Sequence, residues 1–439
     1  MNPRKAAVLA AERVLSQGAY SNLVWRTALD DVPPAERPFA TALFYGTLER
    51  AYSLGLALRG YLTQPPSKLD SLTRAVLLTG MYQLAFMNIP GHAAVSETVA
   101  ICRSVGRSRQ SGFVNGVLRA FLRDGAAIPA PADPTDALAA AYSCPPALVR
   151  SFQRDYGADA ALRILQGSLG GADTTLRVNP LRTTPDALAR SLSEAGFDPK
   201  PFPGLPGALS VRGDVRSMPG ADEGLFHVED AAAQYAAVLL EPQPGETVVD
   251  VCAAPGGKTF TLAGLMHNEG TVFAFDVAPQ RARLVADGAA RLGMTCVRAI
   301  ARDGRTPDER LTGCAQRVLC DLPCSGLGVL RRKPELRMKS LPTGLEQLQR
   351  ELLDASAEYV APGGVLVYST CTLRRAENED TACAFLAAHP DFEPYPIPDL
   401  PGCDLFRGGG GSVTFLPGPT DGFFAARFRR KSAEGGEKA

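Results

Sequence analysis

From Thr247 onward short apolar runs of β type alternate with helical stretches, an alternation that belongs to a parallel, doubly wound α/β sheet. The runs are TVVDVC (247–252), TVFAFD (271–276), CVRAIA (296–301), RVLCD (317–321) and GVLVYS (364–369). Two later runs, SVTFLP and GFFAARF, suit a closing antiparallel pair, with Gly408 to Gly411 ahead of them as a flexible loop. Open α/β sheets hold their ligands beyond the carboxyl ends of the strands, so function is to be sought in the residues that follow each run.

A chain of 439 residues exceeds one ordinary core, and its pattern changes character twice before Thr247. Residues 1–126 carry apolar groups at helical spacing, as in Ala7, Leu9, Ala10, Val14 and in Ala75, Val76, Leu78, Met81, Leu84. Turn signals at Val32-Pro33-Pro34, Gln64-Pro65-Pro66 and Pro90-Gly91 divide them into several helices. The Pro/Ala-rich stretch AIPAPADPTD (127–136) reads as a linker. Residues 137–240 mix β-type TLRVN (175–179) and ALSVRG (208–213) with a helix starting near Thr184-Pro185-Asp186. The expected architecture is therefore multidomain: an all-α N-terminal domain (1–126), a small α+β domain (137–240), a Rossmann-like α/β domain (241–430) and a disordered tail (431–439).

Composition narrows the class. With 45% hydrophobic and 21% charged residues the chain is globular rather than disordered. No apolar run reaches the roughly 18 residues of a membrane span, and Glu12 and Arg13 interrupt the only stretch near the N-terminus that resembles a signal segment. A soluble, cytoplasmic protein without membrane association is expected. Ten scattered cysteines without a C-x-x-C pair point to reduced thiols. His92, His227, His267 and His389 lie too far apart in sequence for zinc-site spacing, so no metal is expected. Formal net charge is zero, yet residues 1–125 hold fourteen Lys/Arg against eight Asp/Glu. That excess of positive charge fits either a solvated face or a nucleic-acid surface.

The run TVVDVC leads into AAPGGKT and then a helix, which presents backbone N–H groups to a ligand, with Gly256 and Gly257 permitting close approach. A nucleotide-triphosphate loop needs G-x-x-x-x-G-K-[ST], and its first glycine would fall on Cys252, which disfavours an ATPase. Asp276 ends the next strand, where a carboxylate either accepts from the two ribose hydroxyls of an adenosine or caps a turn. Asp303, in ARDGR, is placed either for an adenine amino group or for the surface. This half of the pattern specifies an adenosine-bearing cofactor and leaves a dinucleotide open.

The fourth strand ends in Asp321-Leu322-Pro323-Cys324-Ser325-Gly326 and the fifth in Ser369-Thr370-Cys371-Thr372. A single cysteine is commonly packing. Two of them with an Asp over the ligand crevice point to nucleophilic chemistry. The segments VVDVCAAPGGKTF, DLPCSGLGVLRRKPELR, VYSTCTLRRAENE and DGFFAARF resemble the signature motifs of RNA (cytosine-5) methyltransferases. Upstream, RPFATALFYGTLER, IPGHAAVSETVAICRSVG and SGFVNGVLR resemble the NusB-like domain of the RsmB (Sun) type of 16S rRNA methyltransferase, and TLRVNPLRTTPDAL and GLFHVEDAAAQ resemble that type's small, RRM-like domain. Leu322 stands where Ala is frequent and Met338 where an aromatic is frequent; neither removes a catalytic group.

The resemblance implies methyl transfer from S-adenosyl-L-methionine to C5 of a cytosine in 16S rRNA; a monomer is expected. C5 is a poor nucleophile, so a thiolate first adds to C6; Cys371 is carried over as that thiolate, protonated Asp321 as the N3 contact and Cys324 as the product-release group. The base for the C5 proton is not identified. Carried over as cofactor contacts are Cys252, Ala253, Ala254, Pro255, Gly256, Gly257 and Lys258 with Asp276, Arg281, Asp303 and Asp321. Within RRKPELRMK, Arg331, Arg332, Lys333 and Arg337 are expected to meet RNA phosphates. Asn378 and Glu379 are read as caps of the following helix. The alternatives are a tRNA cytosine-C5 methyltransferase and a non-catalytic RNA-binding or ribosome-assembly factor.

Overall fold

A computed structural model of the chain describes residues 1–408 and 411–432; part of the glycine loop and of the tail read from the sequence thus lies outside the described residues. The chain divides into two compact units, Met1–Gly171 with Leu330–Ser340, and Ala172–Val329 with Leu341–Ala439. No helix among the described residues is long and apolar enough to cross a membrane.

The first unit is helical. Seven α-helices run from Pro3–Gln17 to Ser111–Arg123. Their starts follow local chemistry: Asn2 accepts from the backbone N–H of Arg4 and Lys5, and Asp70 accepts from that of Thr73. Helix Ser71–Phe86 runs through the middle of the core with Ala75, Val76, Leu77, Leu78 and Met81 buried, while Trp25 stacks on Phe44 with centroids 4.4 Å apart.

Three further helices, Pro134–Tyr142, Pro146–Tyr156 and Ala158–Gly167, belong to this unit, which runs on to Gly171 beyond the linker expected at 127–136. Pro134 sits in the first turn of its helix behind an Asp133 cap, so the end of the proline-rich stretch opens a helix. Ser53 Oγ donates to Ala140 O at 2.6 Å and closes that helix onto the others.

Segment Leu330–Ser340 also belongs to this unit, and it corrects the expectation for Arg337. The guanidinium is buried, donating to Leu330 O at 3.0 Å and to Ser168 O, while buried Glu335 accepts from Ser21 N at 3.0 Å. Arg337 is spent on two backbone carbonyls and is not presented to an RNA phosphate. Arg331, Arg332 and Lys333 are half-buried.

In the second unit a four-stranded antiparallel sheet, ordered β2-β3-β1-β4, is built from β1 (Thr174–Val178), β2 (Lys200–Pro201), β3 (Ala208–Val211) and β4 (Phe226–Val228). Leu176, Val178, Leu209, Val211 and Phe226 pack with Leu188 and Leu192 of helix Pro185–Glu194. The alternate residues Thr175, Arg177 and His227 are buried too, so both faces are closed. Asn179 Nδ2 reaches Gly224 O and Leu292 O, each at 2.8 Å, tying this sheet to the larger layer.

Among the described residues the larger sheet has nine strands. Parallel β5 (Thr247–Asp250), β6 (Thr271–Asp276), β7 (Val297–Ala301), β8 (Ala315–Asp321) and β9 (Val360–Thr370) form its centre; β10 (Phe392–Pro394), β11 (Leu405–Arg407), β12 (Ser412–Phe415) and β13 (Phe423–Arg430) complete it. The order β11-β12-β13-β9-β8-β5-β6-β7 reverses direction between β5 and β8, which places the ligand crevice over their carboxyl ends. The expected antiparallel pair is present as β12 and β13, with β13 alongside β9.

The Arg337 contacts make a stability prediction. Arg337→Ala leaves two buried carbonyls without a donor and opens a void, which should lower unfolding free energy by about 2–4 kcal/mol. Thermal or urea denaturation of the full chain measures it, and an unshifted transition would mean that this segment is not seated as described.

Candidate active site

Strand β5 delivers Asp250, and the loop behind it turns through Gly256 at φ +114° into helix Gly257–Leu265. That φ is left-handed, and a Cβ on Gly256 would run into the Phe260 ring, so only glycine fits. A Cβ on Gly257 would sit 3.0 Å from Glu229 Oε1. The loop lines a cavity of about 180 Å³ to which Cys252, Ala253, Ala254, Pro255, Gly257, Lys258 and Asp321 contribute, seven of the residues expected at a cofactor. Glu229 and Asp250 line it as well. Asp276, at the end of β6, holds Arg281 Nε at 3.0 Å, and Arg281 Nη2 donates to Ala254 O at 2.9 Å, which ties both to the glycine loop. Asp303 is not among the residues lining the cavity; its carboxylate pairs with Arg305 at 2.7 Å on the surface.

Charge is concentrated at the cavity floor. Lys258 Nζ lies 2.8 Å from Asp321 Oδ2, and Ser369 Oγ donates to Asp321 Oδ1 at 2.9 Å. Burial works against the Lys258 charge, but the Asp321 and Glu229 carboxylates outweigh it and drive the ammonium above the usual lysine range. Glu229 likewise resists its burial: His227, Lys258 and Thr261, whose Oγ1 donates at 2.6 Å, hold its carboxyl low. Asp250 goes the other way. Burial raises it to about 7 despite a 2.6 Å bond from Thr259 Oγ1, and its Oδ1 is buried without a hydrogen-bond partner. An orphaned acceptor in a residue lining a glycine-walled cavity fits a ligand that brings an N–H donor.

The two cysteines come together. Asp321 is paired with Ser369 in the β8–β9 register, so the loops that follow leave the sheet at the same level. Cys324 Sγ and Cys371 Sγ are 3.4 Å apart. The neighbouring Cys371 sulfur, then burial, push the Cys324 thiol well above the ordinary range. Gly328 N donates to Cys371 O and Gly422 N to Gly328 O, each at 2.9 Å. A methyl on Gly328 would overlap the Gly422 carbonyl, so a side chain there would separate the loops.

Buried side chains, Glu377 and Gln349 among them not singled out in the sequence, hold these loops. Glu377, fully buried, accepts from Ser325 N and Ser325 Oγ, and Gln349 Nε2 reaches both Glu377 and Pro323 O. Asn378 makes no side-chain helix cap; it accepts from Thr370 Oγ1 at 2.6 Å and donates to Thr372 O at 3.0 Å, bracing the Cys371 turn. A signal for Asp250 was present, an acid inside the apolar run TVVDVC. Glu229 and Glu377 read in sequence like ordinary surface acids.

The arrangement supplies a thiol pair, a carboxylate–ammonium pair and a glycine-walled cavity around the ends of β5, β8 and β9. Comparison with known proteins places the chain among methyltransferases. Residues 237–429 match the family model for 16S rRNA methyltransferase RsmB/F, residues 1–123 the NusB family, and residues 144–216 the ferredoxin-like domain of RsmF/B-like methyltransferases. The chain is 33% identical to the "Probable ribosomal RNA small subunit methyltransferase B" of Bacillus subtilis (strain 168), over 98% of each protein. It is 34% identical to the ribosomal RNA small subunit methyltransferase B of Salmonella agona (strain SL483), over 98% of this chain and 99% of the other. The crystal structure of PH0851 superposes with a TM-score of 0.84 at 27% identity, covering 98% of this chain and 99% of that one.

Asp250 generates a pH prediction. With a folded value near 7 against 3.8 for the ordinary group, the folded protein keeps a proton that the unfolded chain releases across that window. Stability from this group is therefore full below about pH 4, falls as pH rises and levels off above about 7. Asp250→Asn removes the titration, so its stability relative to wild type should rise across the window by up to about 4 kcal/mol. Melting curves of both proteins from pH 4 to 8 test this, and a constant difference would refute the shifted carboxyl.

Proposed function

The chain belongs to the 16S rRNA methyltransferase RsmB/F family, and from that membership we propose that it methylates C5 of a cytosine in 16S rRNA, using S-adenosyl-L-methionine and a covalent Cys371–C6 adduct. The observation that carries this reading is the 3.4 Å approach of Cys324 to Cys371, from two strand ends beside the glycine-walled cavity.

The cavity residues suit the cofactor. Gly257 and Lys258 line the cavity, Asp276 is assigned to the ribose hydroxyls, and the unpartnered Asp250 Oδ1 offers an acceptor for the amine. Asp303, near the end of β7, is assigned to the adenine amino group, and Arg281 steadies Asp276. When bound, the cofactor's sulfonium supplies an electrophilic methyl.

The chain's own groups do the rest. The Cys371 thiolate adds to C6, and the displaced electron pair enriches C5 and N3. Asp321, which Lys258 Nζ approaches to 2.8 Å, is assigned to hydrogen-bond N3 in its protonated form. On release the C5 proton is lost to water, its electron pair re-forms the C5–C6 double bond, and the C6–S bond breaks toward Cys371. Cys324, kept as a thiol by its neighbour and by burial, can donate its S–H to the departing sulfur. Arg331, Arg332 and Lys333, with the basic excess of residues 1–125, are assigned to RNA phosphates.

Cys371→Ala should abolish C5-methylcytosine while leaving cofactor affinity within about twofold of wild type; bisulfite sequencing of treated 16S rRNA, alongside calorimetry with the cofactor, checks both parts. Persistent methylation would remove Cys371 from its role. Cys324→Ala should instead accumulate a protein–RNA species on denaturing gels. Presenting 16S rRNA and tRNA side by side decides the substrate, and preferential modification of tRNA would reject the ribosomal assignment.

A further inference from the structure

We infer that Glu377 is a positioning residue for product release: its buried carboxylate fixes Cys324 against Cys371, so that the enzyme resolves its covalent adduct. The inference rests on the two-cysteine reading above and extends it to a residue that touches neither the RNA nor the cofactor.

Glu377 is fully buried, and its carboxylate is surrounded by donors. Ser325 N reaches Oε2 at 2.9 Å, Ser325 Oγ reaches Oε1 at 2.6 Å, Gln349 Nε2 reaches Oε2 at 3.1 Å and Arg374 Nη1 reaches Oε1 at 3.0 Å. Two of these contacts bear on the peptide groups that flank Cys324. The Ser325 N–H belongs to the peptide following it and binds Glu377 directly. Pro323 O, on the preceding side, accepts from the same Gln349 Nε2 at 2.9 Å. Both flanks of Cys324 thus depend on one carboxylate. The link also reaches the other cysteine, because Ser325 Oγ lies 2.7 Å from Thr372 Oγ1, next to Cys371.

Cys371 has supports of its own. It directly follows strand β9, its carbonyl accepts from Gly328 N at 2.9 Å, and Asn378 braces the turn after it. Loss of the Glu377 carboxylate should therefore loosen Cys324 more than Cys371. Attack on C6 would continue while departure from C6 slows. A carboxylate that takes four donors is not replaced by an amide, which offers one acceptor oxygen and turns an N–H₂ group toward those donors.

The test compares Glu377→Gln, Cys324→Ala and the double variant in the full chain with 16S rRNA and cofactor, following adduct on denaturing gels and methylated product in parallel. Glu377→Gln should raise the ratio of adduct to product at least tenfold, the scale of losing charge-assisted hydrogen bonds. The double variant should behave like Cys324→Ala alone, because both changes act on one step. If Glu377→Gln lowers product without raising adduct while Cys324→Ala does trap it, the residue merely supports the fold and the proposal falls. If Cys324→Ala traps nothing, the two-cysteine reading fails first and takes this inference with it. Ser325→Ala, which removes one of the four bonds and keeps the carboxylate, should shift the ratio the same way by a smaller factor. It serves as the deciding variant should Glu377→Gln fail to show a cooperative melt, and an unchanged ratio in it overturns the proposal.

Discussion

The register between β8 and β9 is the constraint on which the rest of the site depends. Because Asp321 stands opposite Ser369, the two loops begin at one level and their cysteines arrive within van der Waals reach of each other. A slip of one residue would turn each side chain to the other face of the sheet and separate the pair. The register is held by the core residues Val318, Leu319, Leu366 and Val367, so the placement of the thiols is a property of hydrophobic packing before it is one of the loops.

On that frame the protein assembles a set of buried charges that would be costly singly. Lys258 offsets Asp321 and Glu229, which are its neighbours, and hydroxyls of Thr261 and Ser369 satisfy further oxygens. Asp250 is left out of this compensation, and its carboxyl responds by rising to about 7. A stability optimum would replace it with an apolar residue. Its presence in a strand that is otherwise Thr-Val-Val fits a ligand-facing group, since functional sites are where such compromises collect.

Much of this was legible in the sequence, and the limits were physical. Strand positions and the closing antiparallel pair followed from apolar patterning, because a sheet buried on both faces demands continuous runs of β-branched residues. The glycine loop and both cysteines were readable because each sits directly after such a run. Arg337 was not, since its neighbours Arg331, Arg332, Lys333 and Lys339 make a basic string, and nothing local reveals that one guanidinium turns inward to the carbonyls of Leu330 and Ser168. The end of the helical unit was hidden for a related reason: prolines that read as linker also open helices, and only the contact between Ser53 and Ala140 shows which use was made. Glu377 and Asn378 were visible as letters and not as partners, because their hydrogen bonds reach back to residues fixed by the sheet rather than by the adjacent chain.

The small sheet bears on how RNA can be engaged. A four-stranded antiparallel sheet with an open face can stack bases on aromatic side chains. Here one face packs on helix Pro185–Glu194, and the other carries Thr175, Arg177 and His227 into the interior. Arg177 donates to Pro206 O, and His227 sits beside Glu229 at the cavity wall. The sheet is therefore used as a wall of the glycine-loop cavity, with Glu229 carried just beyond β4 to face Gly257 and Lys258. Base stacking on either face of this sheet is thereby closed off, and its residues on the inner face answer to the chemistry of the site.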